Sequence, residues 1–205
     1  MKIKRRMAPG AGKRATLAAK GERPRLMIIS IEDRLASHYL ERLSKNLTAR
    51  LDRSGLKKPE FAAAIGMSGS QFRYIRARVA NPTIRMLATI AGNLEIPLYE
   101  LLEDAPLGDR RDLTAEEMIE ALSVVVKHKF DRSGMSNKEF AKFIAVSVPQ
   151  FYLILRGVSN PSLLAVEEIA KRVNVGIWQL LGVEPHDFGD DTTVRTVASR
   201  RAPSH

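Results

Sequence analysis

Apolar residues recur at helical spacing through most of the chain. From Ile31 onward, Leu35, Tyr39, Leu43, Leu47 and Leu51 follow at four-residue intervals, and Ser30 with Asp33 supplies a capping pattern in front of them. That spacing predicts one long helix ending near Ser54 and Gly55. Residues 58–77, KPEFAAAIGMSGSQFRYIRA, place Phe61, Ile65, Met67, Phe72 and Ile75 at core spacing, with Ala62 and Gly66 between them. Two short helices meeting at a steep angle need this arrangement. Ala62 permits close approach, Gly66 can turn the chain in the left-handed region, and Ser68 caps the second helix. After a turn at Asn81 and Pro82, the residues Ile84, Leu87, Ala88, Ala91 and Leu94 predict another helix, and Pro97 opens a short one ending at Leu102. Residues 104–113, with Pro106 and Gly108, read as a linker. Thr114 and Glu117 form a capping box ahead of Ile119, Leu122, Val126 and Phe130. Helices are then expected over 136–144, 148–156 (closed by Gly157), 163–173 and 177–181.

The second half of this pattern repeats the first. An offset of 79 residues superimposes residues 40–102 on 119–181 with 22 of 63 positions identical. DRSG recurs at Asp52 and Asp131, EFA at Glu60 and Glu139, and Gln71, Phe72 and Ile75 return as Gln150, Phe151 and Ile154. Val79, Asn81 and Pro82 return as Val158, Asn160 and Pro161, and each copy closes on a Leu pair. A self-match of this length means one fold present twice.

The stretch 58–77 resembles the helix-turn-helix of the phage-repressor and Cro type, the XRE-like family. The resemblance implies an all-α chain of two tandem five-helix repressor-like helix-turn-helix domains with a basic N-terminal arm. The expected divisions are a flexible arm over 1–30, a DNA-reading domain over 31–104, a linker over 105–113, a divergent second domain over 114–184 and a disordered tail over 185–205. In that family the second motif helix lies in the DNA major groove with its N-terminal residues on base edges. Carried onto this chain, the DNA-binding set is Lys58, Ser68, Gly69, Ser70, Gln71, Arg73, Tyr74 and Arg76, of which Arg suits guanine and Gln suits adenine. Two positions depart from the family pattern. Arg78 stands where a helix-ending Gly is usual, and Lys58 replaces a frequent Gln, as a flexible point charge better suited to phosphate.

The copies differ where they would meet a partner. Gly69, Ser70, Arg73, Tyr74 and Arg76 become Val148, Pro149, Tyr152, Leu153 and Leu155. Gln150, Tyr152 and Arg156 remain as candidate second-repeat contacts to nucleic acid, whereas Val148, Leu153 and Leu155 form a candidate protein interface.

Charge adds to this contrast. The formal net charge is +10, of which residues 1–26 carry +8, residues 40–104 carry +3, and residues 114–184 are neutral. The basic arm suits phosphates or a minor groove. Arg42, Lys45, Arg50, Arg53 and Arg85 are expected as ordinary solvated faces. There is no cysteine, and His38, His128, His186 and His205 are not at ligand spacing, so no metal site and no cofactor is expected. No phosphate-cradling Gly loop or nucleophile with its base is present, so neither an enzyme nor a small-molecule substrate is expected. No apolar run exceeds five residues, far too short for a membrane span, and a cytoplasmic protein is expected. The function expected is a sequence-specific double-stranded DNA-binding transcriptional regulator, acting as a homodimer on half-sites about 10 base pairs apart or a multiple of that. In this scheme repeat two serves dimerisation or an auxiliary contact. The alternative is an interaction module that sequesters another regulator through the apolar face of repeat two.

Overall fold

The computed structural model describes residues 31–103 and 110–185, with side chains from Arg34 onward. The expectations for the basic arm, the Ser30 cap, most of the linker and the polar tail concern residues outside these. Within them the chain is helical: α1 Ile31–Ala36, α2 His38–Ser54, α3 Lys58–Ala64, α4 Gly69–Arg76, α5 Ile84–Asn93, α6 Leu98–Leu102, α7 Ala115–Ser133, α8 Asn137–Phe143, α9 Val148–Leu155, α10 Leu163–Val173 and α11 Ile177–Leu180. No strand occurs among the described residues, only an isolated antiparallel bridge between Thr83 and Ser162.

The first expected helix is corrected: it is two helices broken at Ser37. Ser37 leaves the helical region (φ −67°, ψ 115°), and its hydroxyl accepts the Leu40 N–H at 3.1 Å, restarting the chain as α2. The same hydroxyl donates to Glu167 Oε1 at 2.6 Å, on the other repeat. A four-residue period cannot foresee a cap whose second partner lies 130 residues away. Leu35, which the period placed inward, is 50% exposed as a result.

From α2 on, α2–α6 recur as α7–α11 down to single bonds. Ser44 Oγ donates to the Arg76 carbonyl and Ser123 Oγ to that of Leu155, fastening α2 to α4 and α7 to α9. Left-handed backbone occurs at Gly55, Gly66, Arg78 and Glu95, and again 79 residues later at Gly134, Ala145, Gly157 and Asn174. Gly66 makes the α3–α4 turn at φ +79°, and a Cβ there would stand 2.6 Å from Asn93 Nδ2. Ala145 takes the same conformation at φ 57° with the strain that a Cβ brings. Each core is aromatic at its centre: Phe61 on Phe72 at 5.5 Å, and Phe140 on Phe151 at 5.5 Å with Phe130 against both.

The repeats meet along a seam that is symmetric within itself. Ile84 N–H donates to the Pro161 carbonyl (3.0 Å) and Leu163 N–H to that of Pro82 (2.8 Å). Arg85 N–H donates to Asn160 Oδ1 and Leu164 N–H to Asn81 Oδ1, each at 3.2 Å. Asn81 Nδ2 donates to Ser162 Oγ (2.8 Å) and Asn160 Nδ2 to Thr83 Oγ1 (3.1 Å). Exchanging the two repeats turns each bond into its mate, so a local two-fold axis passes through the bridge, as in an isologous dimer interface. Tyr99 and its counterpart Trp178 stack edge-on at 5.0 Å, the same correspondence further along the seam. Trp178 Nε1 donates to Glu103 at 2.6 Å, and Arg110 lies 4.2 Å above Tyr99 while pairing with Glu184 at 2.7 Å. Tyr39, also against Trp178, has its phenol pushed up to about 12 by burial, followed by the charges of Glu103, Glu167 and Glu184. Ser37 and Tyr39, which precede the repeated part of the chain, thus pack across the seam.

Candidate nucleic-acid interface

The surface of α4 is set by its cap. Ser68 Oγ accepts the Gln71 N–H at 3.2 Å, and Gln71 Oε1 accepts the Ser68 N–H at 2.9 Å, a closed capping box. Phe72 and Ile75 are buried, which fixes the helix rotation and leaves Gly69, Ser70, Gln71, Arg73 and Tyr74 exposed. The Arg73 guanidinium lies 5.1 Å from the Tyr74 ring centroid and reaches its hydroxyl at 3.4 Å, so a cation rests on an aromatic face that is itself 46% exposed. Lys58, at the first turn of α3, is exposed beside a second cation, Lys57, which the sequence reading did not single out. The Gln71 carboxamide keeps its NH2 group and a second lone pair on Oε1 after capping, in a plane fixed by the cap.

Arg76 belongs elsewhere. Its Nε donates to Thr48 Oγ1 at 3.0 Å and its guanidinium lies 5.5 Å from the Phe72 ring, so it is half-buried and joins α4 to α2. This placement sets Arg76 apart from the exposed members of the expected DNA-binding set, because a position one turn beyond Phe72 is close enough to α2 for a long side chain to fold back. Arg78 turns to Glu41 at 3.3 Å, and Arg34 Nη1 donates to the Val79 carbonyl at 2.7 Å, which closes the loop after α4.

In repeat two the equivalent surface is built differently. Ser147 caps α9, but Gln150 forms no capping box: its Nε2 donates to Ser159 Oγ at 2.7 Å, and Ser159 is buried. Repeat one has Ala80 in place of Ser159, so Gln71 has no such partner and turns to the cap instead. One hydroxyl therefore decides which way each glutamine faces. Val148 and Leu155 are half-buried against the core, so the apolar face expected there reduces to Tyr152 (47% exposed), Leu153 (41%) and Val158 (50%), the last not anticipated. Asn137 Nδ2 donates to the Tyr152 hydroxyl at 2.9 Å, and Arg156 is exposed at the C-cap.

Glu139 is held below the usual carboxylate range by the Ser136 hydroxyl, then by its backbone N–H, as expected for the capping box of α8. Among the described residues no group of three or more His, Cys, Asp and Glu could hold a metal ion, and no helix is long and apolar enough to cross a membrane. An open depression of about 610 Å³ is lined by Gly134, Met135, Glu139, Lys142, Phe143 and Arg172, none of them on α4 or α9. No family model, curated protein or solved structure matches the chain.

Proposed function

We propose that the chain is a sequence-specific double-stranded DNA-binding regulator of transcription. Its repeats are read as tandem five-helix helix-turn-helix domains in which α4 enters the major groove. The observation that carries this reading is the exposed face of α4: a rigidly capped helix start presents Ser70, the oriented Gln71 carboxamide and an Arg73 guanidinium stacked on Tyr74, with Lys57 and Lys58 nearby. A base-reading surface needs donors and acceptors held in fixed geometry, with cations placed for phosphates. Here Phe72 and Ile75 fix the helix from the core while the Ser68 cap and the Tyr74 ring hold Gln71 and Arg73, so partner contact costs little ordering.

Selection of bound duplexes from a random library by the intact chain tests the proposal. The expected result is a shared base pattern and an affinity that falls steeply with salt, since the cations replace counterions on phosphate. Recovery of random sequence, with binding that salt does not weaken, would count against it.

A further inference from the structure

We infer that a single chain occupies a complete bipartite DNA site, and that the halves of that site differ: α4 reads one by polar contacts, while Tyr152, Leu153 and Val158 meet thymine methyl groups in the other. This rests on the DNA-binding role proposed above. Its basis is the two-fold seam. A two-fold axis gives the α4 and α9 surfaces the same inclination, so a duplex lying across the axis that meets one also meets the other. The second head is thus supplied from within the chain by the mated bonds at Asn81–Ile84 and Asn160–Leu163, where a homodimeric regulator would draw on a second copy.

Chain length sets the spacing. Ala80 N–H is bonded to the Tyr74 carbonyl and Val158 N–H to that of Leu153, which folds each loop back onto its helix. Only residues 80–83 and 159–162 are left to span from head to bridge. Each reaches at most about 11 Å when extended, and a bridge of this hydrogen-bond pattern adds about 4.5 Å. Adding the hydrogen-bonded links from Tyr74 to Ala80 and from Leu153 through Val158 to Ser159, Tyr74 and Leu153 lie within about 45 Å of each other. That admits half-sites one helical turn apart, about 34–36 Å, and rules out two turns.

The chemistry of the two heads then makes the site asymmetric. Gln150 is committed to Ser159 and Tyr152 accepts from Asn137, so the face of α9 offers chiefly hydrocarbon, with Arg156 at its end for phosphate. In the major groove the apolar group that distinguishes one base from the rest is the thymine C5-methyl. A site read by guanidinium and carboxamide on one side and by Leu and Tyr on the other has a direction, and the protein binds it one way round.

The test uses the full chain, a duplex of about three helical turns recovered by selection, and sedimentation of the complex. One chain per duplex is expected, on a motif with no palindrome, its halves about 10 base pairs apart and one of them rich in thymine. Replacing those thymines with deoxyuridine removes only the methyl groups. It should weaken the wild type by about fourfold for each contacted methyl and weaken a Tyr152→Ser Leu153→Ser variant, which keeps only Val158 of the three contacts, by correspondingly less. Both positions are exposed, so the variant keeps its core. Two chains per duplex on a palindrome, or indifference to deoxyuridine, would overturn the inference and leave the DNA-binding proposal standing. Loss of self-association in that variant with DNA affinity unchanged would also overturn it, making the face a contact between copies. Failure of the chain to retain any duplex at low salt would remove both.

Discussion

At the scale of single residues, small differences between equivalent positions separate the two repeats. Ala80 and Ser159 are the clearest pair. The hydroxyl of Ser159 draws the Gln150 carboxamide inward, and its absence leaves Gln71 on the surface. Ala80→Ser should therefore recreate the inward bond in repeat one and lower affinity for a selected duplex by about tenfold, the loss of one good base contact, while barely changing thermal stability. Gly66 tests the turn. Gly66→Ala should cost about 1–2 kcal/mol in denaturant unfolding, because a Cβ is disfavoured in left-handed backbone. The Asn93 side chain is exposed and can swing aside, and Ala145 shows that the conformation tolerates a methyl group.

At the scale of elements, the caps and the buried stripes do most of the positioning. Ser68→Ala removes the hydroxyl that accepts the Gln71 N–H and should cost about 1 kcal/mol, measurable by urea unfolding. It should also loosen the Gln71 carboxamide and lower DNA affinity, a loss that Thr114→Ala, at a cap remote from α4, should not share. Most elements were legible in the chain. The short helices α6 and α11, the α10 span and the Gly66 turn followed from apolar spacing, Pro, Gly and Ser, because each of those signals acts within a few residues. The Ser37 break was not legible, since Glu167 fixes it from the other repeat. Arg76 and Leu155 were placed outward by their spacing from Phe72 and Phe151, yet α2 and α7 lie close enough to cover part of each. A helical wheel shows which face is apolar but not how far a neighbouring helix overlaps its edge.

At the scale of the whole molecule, the seam makes two similar units into one asymmetric body. The recurrence of Asn-Pro at both loops was visible in the sequence, but nothing local said that the loops would bond to each other. An Asn81→Ala Asn160→Ala variant deletes the mated side-chain bonds and should lose about 2–4 kcal/mol, since each bond contributes about 1 kcal/mol. Its unfolding should split into two transitions where the wild type shows one. Glu167 gives the seam a pH dependence. Burial raises its carboxyl above the ordinary value of 4.5, and the Ser37 hydroxyl only partly opposes this. A carboxyl raised on folding contributes stability that is full below the unfolded value and is lost as pH rises through the folded one. Glu167→Gln keeps an acceptor for Ser37 and should raise the melting temperature at pH 7, with little effect well below pH 4.5. The central claim remains that repeat one reads a duplex through α4, and the most direct test compares Arg73→Ala with Lys58→Ala in anisotropy titrations on a selected and a scrambled duplex. The account predicts that Arg73→Ala loses about 1–3 kcal/mol on the selected duplex alone, whereas Lys58→Ala weakens both alike and flattens the salt dependence. Equal loss on both duplexes for Arg73→Ala, or no loss on either, would contradict it.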